Sequence, residues 1–250
     1  MPPRGESGMT AEKTTADPVP RDQLEADVSA VMDCIANGGV AILPLDVAYA
    51  IVGARPAAIR RIYDAKKRSY EKPCGMFGSA ELSAEIHLLD DNKREMIRFL
   101  QYEARLPFSV VAAFDAGHPL LSGADPFVLQ TSSKAGTLDM LINAGQFHDE
   151  VARQSAARGM GVFGSSANTS LAGSKYRLAD VDAPVRAVAD IVFDYGVSRY
   201  ASDRGLSSSI IDFADFTVLR VGHRYEELKQ VLLRQFQVKL RITAQTAGAA

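Results

Sequence analysis

Lys66-Lys67-Arg68-Ser69-Tyr70-Glu71-Lys72-Pro73, read together with Ser166-Ala167-Asn168, decides how this chain folds and what its fold holds. The run before it, Ala57 to Lys66, puts Ile59, Ile62 and Tyr63 on one helical face. Pro73 forces the residue before it into extended geometry, so the cations Lys66, Lys67, Arg68 and Lys72 sit where a helix gives way to a loop. Ser166 and Asn168 form a small-residue turn after an apolar, strand-like run, Met160 to Gly164. Each piece has a simpler reading alone. Cations are favoured at any helix C-terminus by the macrodipole, and Ser and Asn are ordinary turn residues. Taken together they are the groups that hold a polyanion such as ATP: charged clamps at a helix end, and a hydroxyl and an amide at a strand end.

Outward from this stretch, strands and helices alternate irregularly. Asp22 is an N-cap candidate for a helix burying Leu24, Val28, Val31, Met32 and Ile35 and stopped by Gly38-Gly39. Strands are expected at 40–43, 49–52, 75–77, 109–114, 127–130, 161–164, 190–193, 208–213 and 218–220. Further helices are expected at 93–103, 149–158, 185–188 and 225–238. The pattern predicts a single α/β domain over residues 21–240, with a mixed parallel and antiparallel sheet. Residues 1–20, rich in Pro, Gly, Thr and charge, read as a disordered arm, and 241–250 as a flexible tail.

Composition narrows the function. The chain has 250 residues, 47% hydrophobic and 23% charged, with a net charge of −2. That balance speaks against bulk electrostatic binding of nucleic acid, though not against a local basic site. Two cysteines, Cys34 and Cys74, give neither a disulfide framework nor a zinc pattern. His87, His118, His148 and His223 form no metal or triad spacing and read as surface or structural residues. No apolar run suits a membrane span or a signal peptide, so a cytoplasmic protein with no membrane partner is expected. There is no Gly-rich dinucleotide fingerprint, no P-loop lysine motif and no nucleophile elbow. Any ATP site must use another architecture.

The ordered motifs resemble the YrdC-like family, the threonylcarbamoyl-AMP synthases, from about Asp22 to Gly222. The family's opening Gly-Gly-strand-Pro stretch is echoed by Gly38-Gly39-Val40-Ala41-Ile42-Leu43-Pro44-Leu45-Asp46-Val47-Ala48-Tyr49-Ala50, and its Lys-x-Arg then Lys-Pro by Lys66, Arg68, Lys72 and Pro73. Ser-x-Asn is matched by Ser166 and Asn168, and the closing motifs by Asp194-Tyr195-Gly196, Ser208-Ser209-Ile210-Ile211-Asp212 and Arg220-Val221-Gly222.

The resemblance implies a twisted mixed sheet with flanking helices around a concave cationic cavity. It implies condensation of ATP, bicarbonate and L-threonine, or another amine, into a carbamoyl-adenylate, with Mg²⁺ on the phosphates. The product would serve tRNA modification, so tRNA or double-stranded RNA is a further expected partner. On the same pattern Lys66, Arg68, Ser166 and Asn168 are catalytic, and with Lys72 and Arg220 they bind ATP. Asp46, Tyr49, Ser208 and Ser209 are expected to face the amino acid, with Ser165 and Thr169 as substitutes within the Ser166 cluster.

Two departures from the family stand out. Leu45 and Val47 replace two threonines, and an Arg-x-Pro segment is replaced by Leu141-Ile142-Asn143-Ala144, with Ile142 aligned to the arginine. Lys134, Arg105 and Arg199 are the candidate substitutes. The nucleotide half of the site is kept and the amino-acid half altered. Two other readings remain open: a carbamoyl-phosphate-dependent carbamoyl-adenylate or carbamoyl-transfer enzyme, and a non-catalytic RNA- or nucleotide-binding module.

Overall fold

The computed structural model describes residues 12–242, and its plan follows from the run Val40 to Leu43. Ala41 and Leu43 are buried in one apolar cluster with Val28, Val31 and Phe147, while Val40 and Ile42 are buried in a second with Ile59, Ile62 and Tyr63. A strand whose alternate residues enter two different clusters must lie inside a sheet covered on both faces.

In chain order the elements are α1 (Arg21–Ala36), β1 (Ala41–Leu43), β2 (Ala50–Gly53), α2 (Pro56–Lys66), β3 (Gly75–Phe77), α3 (Ala80–Ile86) and α4 (Asp91–Tyr102). There follow β4 (Phe108–Ala113), α5 (Pro119–Ser122), α6 (Pro126–Ser132), β5 (Ser133–Lys134), β6 (Thr137–Ile142), α7 (Gln146–Arg158) and β7 (Phe163–Ser166). The remainder is α8 (Ala183–Ala187), β8 (Ile191–Val192), β9 (Ser209–Asp212), β10 (Thr217–Arg220), α9 (Tyr225–Phe236) and β11 (Arg241–Ile242). The strands join one sheet in the order β11-β10-β9-β4-β6-β3-β7-β2-β1-β8, with β5 paired to β6. The sheet is mixed, as expected: β3–β6 and β4–β9 run parallel, whereas β4–β6, β3–β7 and β2–β7 run antiparallel.

One face is packed by residues of α2, α3, α4, α6, α8 and α9 and the other by α1 and α7. On β4 and β6, Val110, Leu138, Met140 and Ile142 enter the first cluster. Their neighbours Ser109, Val111, Thr137, Asp139 and Leu141 point to the opposite face and line a cavity there. The sheet's period of two therefore makes the core and the cavity floor from the same strands.

Several expectations change. Residues 127–130 are helical, not a strand: the Asp125 carboxylate caps the Phe127 N–H at 2.8 Å, Pro126 takes the first position, and this start signal outweighs the β-propensity of Phe127 and Val128. Asp22 lies inside the first turn of α1 rather than capping it, because Pro20 precedes the helix. The strand at 161–164 begins at Phe163 and reaches Ser166, where pairing with Ala50 to Gly53 sets its limits.

Of the arm expected over residues 1–20, residues 1–11 lie outside the described residues, and 12–20 are packed on the domain. There the Thr15 hydroxyl donates to Asp46 at 2.6 Å, and its N–H to the Val197 carbonyl at 2.8 Å. At the other end, residues 243–250 of the expected tail lie outside the described residues, while Arg241 and Ile242 pair with Thr217 and Val218. Among the described residues no helix is long and apolar enough to cross a membrane.

Candidate functional site

The cavity holds about 950 Å³, in the upper range for small-molecule sites. Its floor is the sheet face described above. Its walls are the loop after α2, the end of β7 with the turn beyond it, the β5–β6 hairpin and the approach to β9. Four basic side chains line it, Arg68, Lys72, Lys134 and Arg220, against three acidic ones, Glu71, Asp139 and Asp212. The expected cationic cavity is therefore basic by only one charge among its lining residues.

Each cation is placed by local structure. Helix α2 is capped at its C-terminus by Lys67, whose left-handed backbone (φ 50°) turns the chain toward the cavity. Arg68 then donates from Nε to the Lys72 carbonyl at 3.0 Å and from a terminal nitrogen to the Pro73 carbonyl at 2.8 Å. These bonds tie the guanidinium to the extended segment that Pro73 enforces and leave its other N–H groups for a ligand. Also on the wall, Arg220 donates to the Ser208 carbonyl at 2.9 Å and to the Ser208 hydroxyl at 3.0 Å. Partial desolvation at the wall lowers its pKa, while Asp139 works in the opposite direction, and the residue as a whole stays exposed to the cavity.

Lys66 takes another role. It is 1% exposed, is not on the cavity wall, and donates to the backbone carbonyls of Ser166 and Asn168. Burial, followed by the positive charge of Arg68, lowers its pKa to about 8. The two carbonyl acceptors oppose that shift by favouring the ammonium. Lys66 thus holds the Ser166–Asn168 turn from behind.

Ser166 lines the cavity, with its hydroxyl bonded to the Asn168 side-chain oxygen. Asn168 is buried, off the wall, and donates to the Thr169 carbonyl at 2.6 Å. Lys72 and Ser165 are on the wall, as is Ser208, whose Oγ lies 3.3 Å from that of Ser109.

Ser209, Asp46 and the Tyr49 side chain serve the framework. Ser209 is fully buried and accepts from the Gly222 N–H at 3.0 Å. Asp46 accepts from Thr15 and lies 3.9 Å from Arg199. Tyr49 contributes to the wall, but its hydroxyl turns away, donating to Asp194 at 2.6 Å and to the Gly196 carbonyl at 2.8 Å. The expected Asp194-Tyr195-Gly196 motif is therefore the anchor of this tyrosine. His87, His148 and His223 are buried and structural rather than on the surface.

The family model that matches this chain, described as "Telomere recombination", covers residues 33–222. The chain belongs to the Sua5/YciO/YrdC family. Among solved structures it is similar to Sua5 of P. abyssi complexed with L-threonine (18% identity, TM-score 0.68), covering 94% of this chain and 63% of that one. It is also similar to the hypothetical protein smu.1377c of Streptococcus mutans UA159 (16%, TM-score 0.72; 94% and 100% covered) and to E. coli YciO (16%, TM-score 0.57; 83% and 93% covered). These likenesses establish the fold. The chain spans less than two thirds of the Sua5 structure's length. Comparison with curated proteins gave no match.

Within this family frame, one alignment changes. Strand β6 alternates, with Leu138, Met140 and Ile142 buried and Thr137, Asp139 and Leu141 on the cavity side. The cavity-facing residue of the altered segment is Leu141, and Ile142 belongs to the core. Of the candidate substitutes for the arginine, only Lys134 lies among the lining residues. Sequence reading missed β6 altogether, and with it Asp139. The alternation Thr-Leu-Asp-Met-Leu-Ile is the sequence signal for this strand, weakened locally by the charged residue at its middle.

Proposed function

We propose that this chain is an ATP-dependent nucleotidyltransferase of the threonylcarbamoyl-AMP synthase kind, joining a carbamate to AMP with release of pyrophosphate. The observation that carries the reading is the convergence of Arg68, Lys72, Lys134 and Arg220 on one 950 Å³ cavity beside the Ser166 hydroxyl. Guanidinium groups suit phosphate geometry, and lysines add point charge. Family membership supports the same reading.

In this account an amine reacts with bicarbonate or CO₂ to give a carbamate. A carbamate oxygen attacks the α-phosphorus, and pyrophosphate leaves. The chain's own residues position the reactants and neutralise the charge that develops on the phosphates. Arg68 and Arg220 both line the cavity, while Lys66 fixes the turn that carries Ser166. Among the described residues no three His, Cys, Asp or Glu side chains form a metal cage. Mg²⁺ would be held through phosphate oxygens and water, as is common for nucleotide sites, and would add charge neutralisation there. The adenylate product would feed tRNA modification.

Pyrophosphate release from ATP and bicarbonate, with each amino acid and with carbamoyl phosphate offered separately, tests the reading. Release with an amine and bicarbonate supports it. Release with carbamoyl phosphate alone selects the carbamoyl-transfer alternative. ATP binding without release under any condition selects the non-catalytic module.

A further inference from the structure

Asp139 is the feature of the cavity that phosphate binding does not use. It sits mid-floor on β6, opposite Val111 of β4 and beside Gly75, where a side chain would crowd its Oδ2 at 3.3 Å. Its Oδ1 is shut off from solvent and has no hydrogen-bond partner. A carboxyl held this way is costly unless something donates to it. Burial raises its pKa, opposed first by Arg220, then by the Ser109 hydroxyl and Arg68. The guanidiniums whose charge acts on it are thus the two assigned to phosphate. Rotation of a carboxyl about its last torsion is soft, so either oxygen can turn to a ligand.

The surroundings on its other side are apolar. Leu141, two residues along β6, has Phe77 as its register partner on β3, and Leu45 and Val47 also line the cavity. Leu45 and Val47 are almost fully buried. This end offers hydrocarbon contact and one carboxyl, and no basic side chain stands among these residues. A substrate carboxylate placed here would lose its water without gaining a partner and would face Asp139. An N–H or ammonium group would satisfy Asp139 and let a hydrocarbon body rest on Leu141 and Phe77.

We propose that the second substrate of this site is a primary amine with a small hydrocarbon body and no carboxylate, its nitrogen donating to Asp139. The proposal rests on the adenylation reading given above and specifies its substrate class.

The test compares L-threonine with 1-amino-2-propanol, which differs by lacking the carboxylate. Each is titrated calorimetrically into the full chain saturated with Mg²⁺ and α,β-methylene-ATP, after the nucleotide has been titrated alone. The expected result is binding of 1-amino-2-propanol at least about tenfold tighter than threonine, as the cost of burying an unpaired carboxylate implies. Asp139→Asn should narrow that preference, and Leu141→Arg should move it toward threonine. Threonine binding as tightly as the amine, or neither binding with nucleotide bound, overturns the inference and leaves the adenylation reading standing. Failure of the nucleotide itself to bind overturns both. Should Asp139→Asn not fold, the comparison of the two ligands on the unaltered chain decides alone.

Discussion

Lys66, at the end of α2, donates from its ammonium to the backbone carbonyl of Asn168, a sequence separation of 102 residues. It also donates to the Ser166 carbonyl, so one buried side chain ties the cation loop to the turn that bears the cavity hydroxyl. The two halves of the proposed phosphate site are therefore joined from behind.

Replacing that ammonium should cost both stability and affinity. Lys66→Met leaves two carbonyls without their donor, a loss of about 2–4 kcal/mol, and the melting temperature should fall by about 5 °C or more. A scanning-calorimetry trace unchanged from the parent, with ATP affinity reduced, would instead make Lys66 a direct phosphate ligand.

Arg68 and Arg220 should behave differently from Lys66, because each reaches the cavity. Arg68→Ala and Arg220→Ala are each expected to weaken Mg·ATP binding by about tenfold or more. Turnover should fall further still, with the circular-dichroism spectrum preserved. The parent's affinity should also decline with added salt. An unchanged dissociation constant for either variant would remove that arginine from the site.

His87 sets a pH limit on stability. Its Nδ1 lies 2.9 Å from the Ser83 hydroxyl and its Nε2 3.2 Å from the Leu138 carbonyl, an arrangement that the neutral ring satisfies. Burial lowers its pKa to about 4. Between the ordinary histidine value of about 6.5 and that value, the unfolded chain binds the proton and the folded one does not. Stability is therefore full above the upper limit and falls as pH drops through this window, by about 3 kcal/mol at most for this group. Urea melts of the parent and His87→Gln at pH 7 and pH 4.5 measure it. The variant should lose less stability between the two pH values, and equal losses would refute the assignment.

Gly222 links the closing motif to the cavity. A methyl group there would collide with the backbone of Ser207, Ser208 and Ser209, whose serine at 208 accepts from Arg220. Gly222→Ala should cost roughly 2 kcal/mol or more and weaken ATP binding through Arg220. Thermal melts and nucleotide titrations that match the parent would contradict this.

Much of this arrangement was legible in the sequence because local signals and tertiary demands agreed. Gly75 to Phe77 reads as a strand and is one. The α2 helix ends at Lys66, where the approach of Pro73 requires an exit. What escaped were features set by partners far along the chain. Thr15 and Asp46 meet across 31 residues, and Thr14 forms an isolated bridge with Val197, so a Pro- and Thr-rich segment that reads as an arm is in part packed on the domain. Lys66 and Asn168 read as ligand-facing residues because motif spacing does not tell whether a side chain lines a wall or braces it. Asp139 was hidden because an acidic residue in mid-strand argues locally against a strand, and only the open face of the sheet makes its position tenable.

The central claim is attack at the α-phosphorus of ATP in the cavity framed by Arg68 and Arg220. Phosphorus-31 NMR of ATP, Mg²⁺ and bicarbonate incubated with the chain and an accepted amine tests it directly. The account predicts equal growth of pyrophosphate and a carbamoyl–AMP mixed anhydride, abolished by Arg68→Ala. Formation of ADP and inorganic phosphate would place the attack at the γ-phosphorus and contradict it.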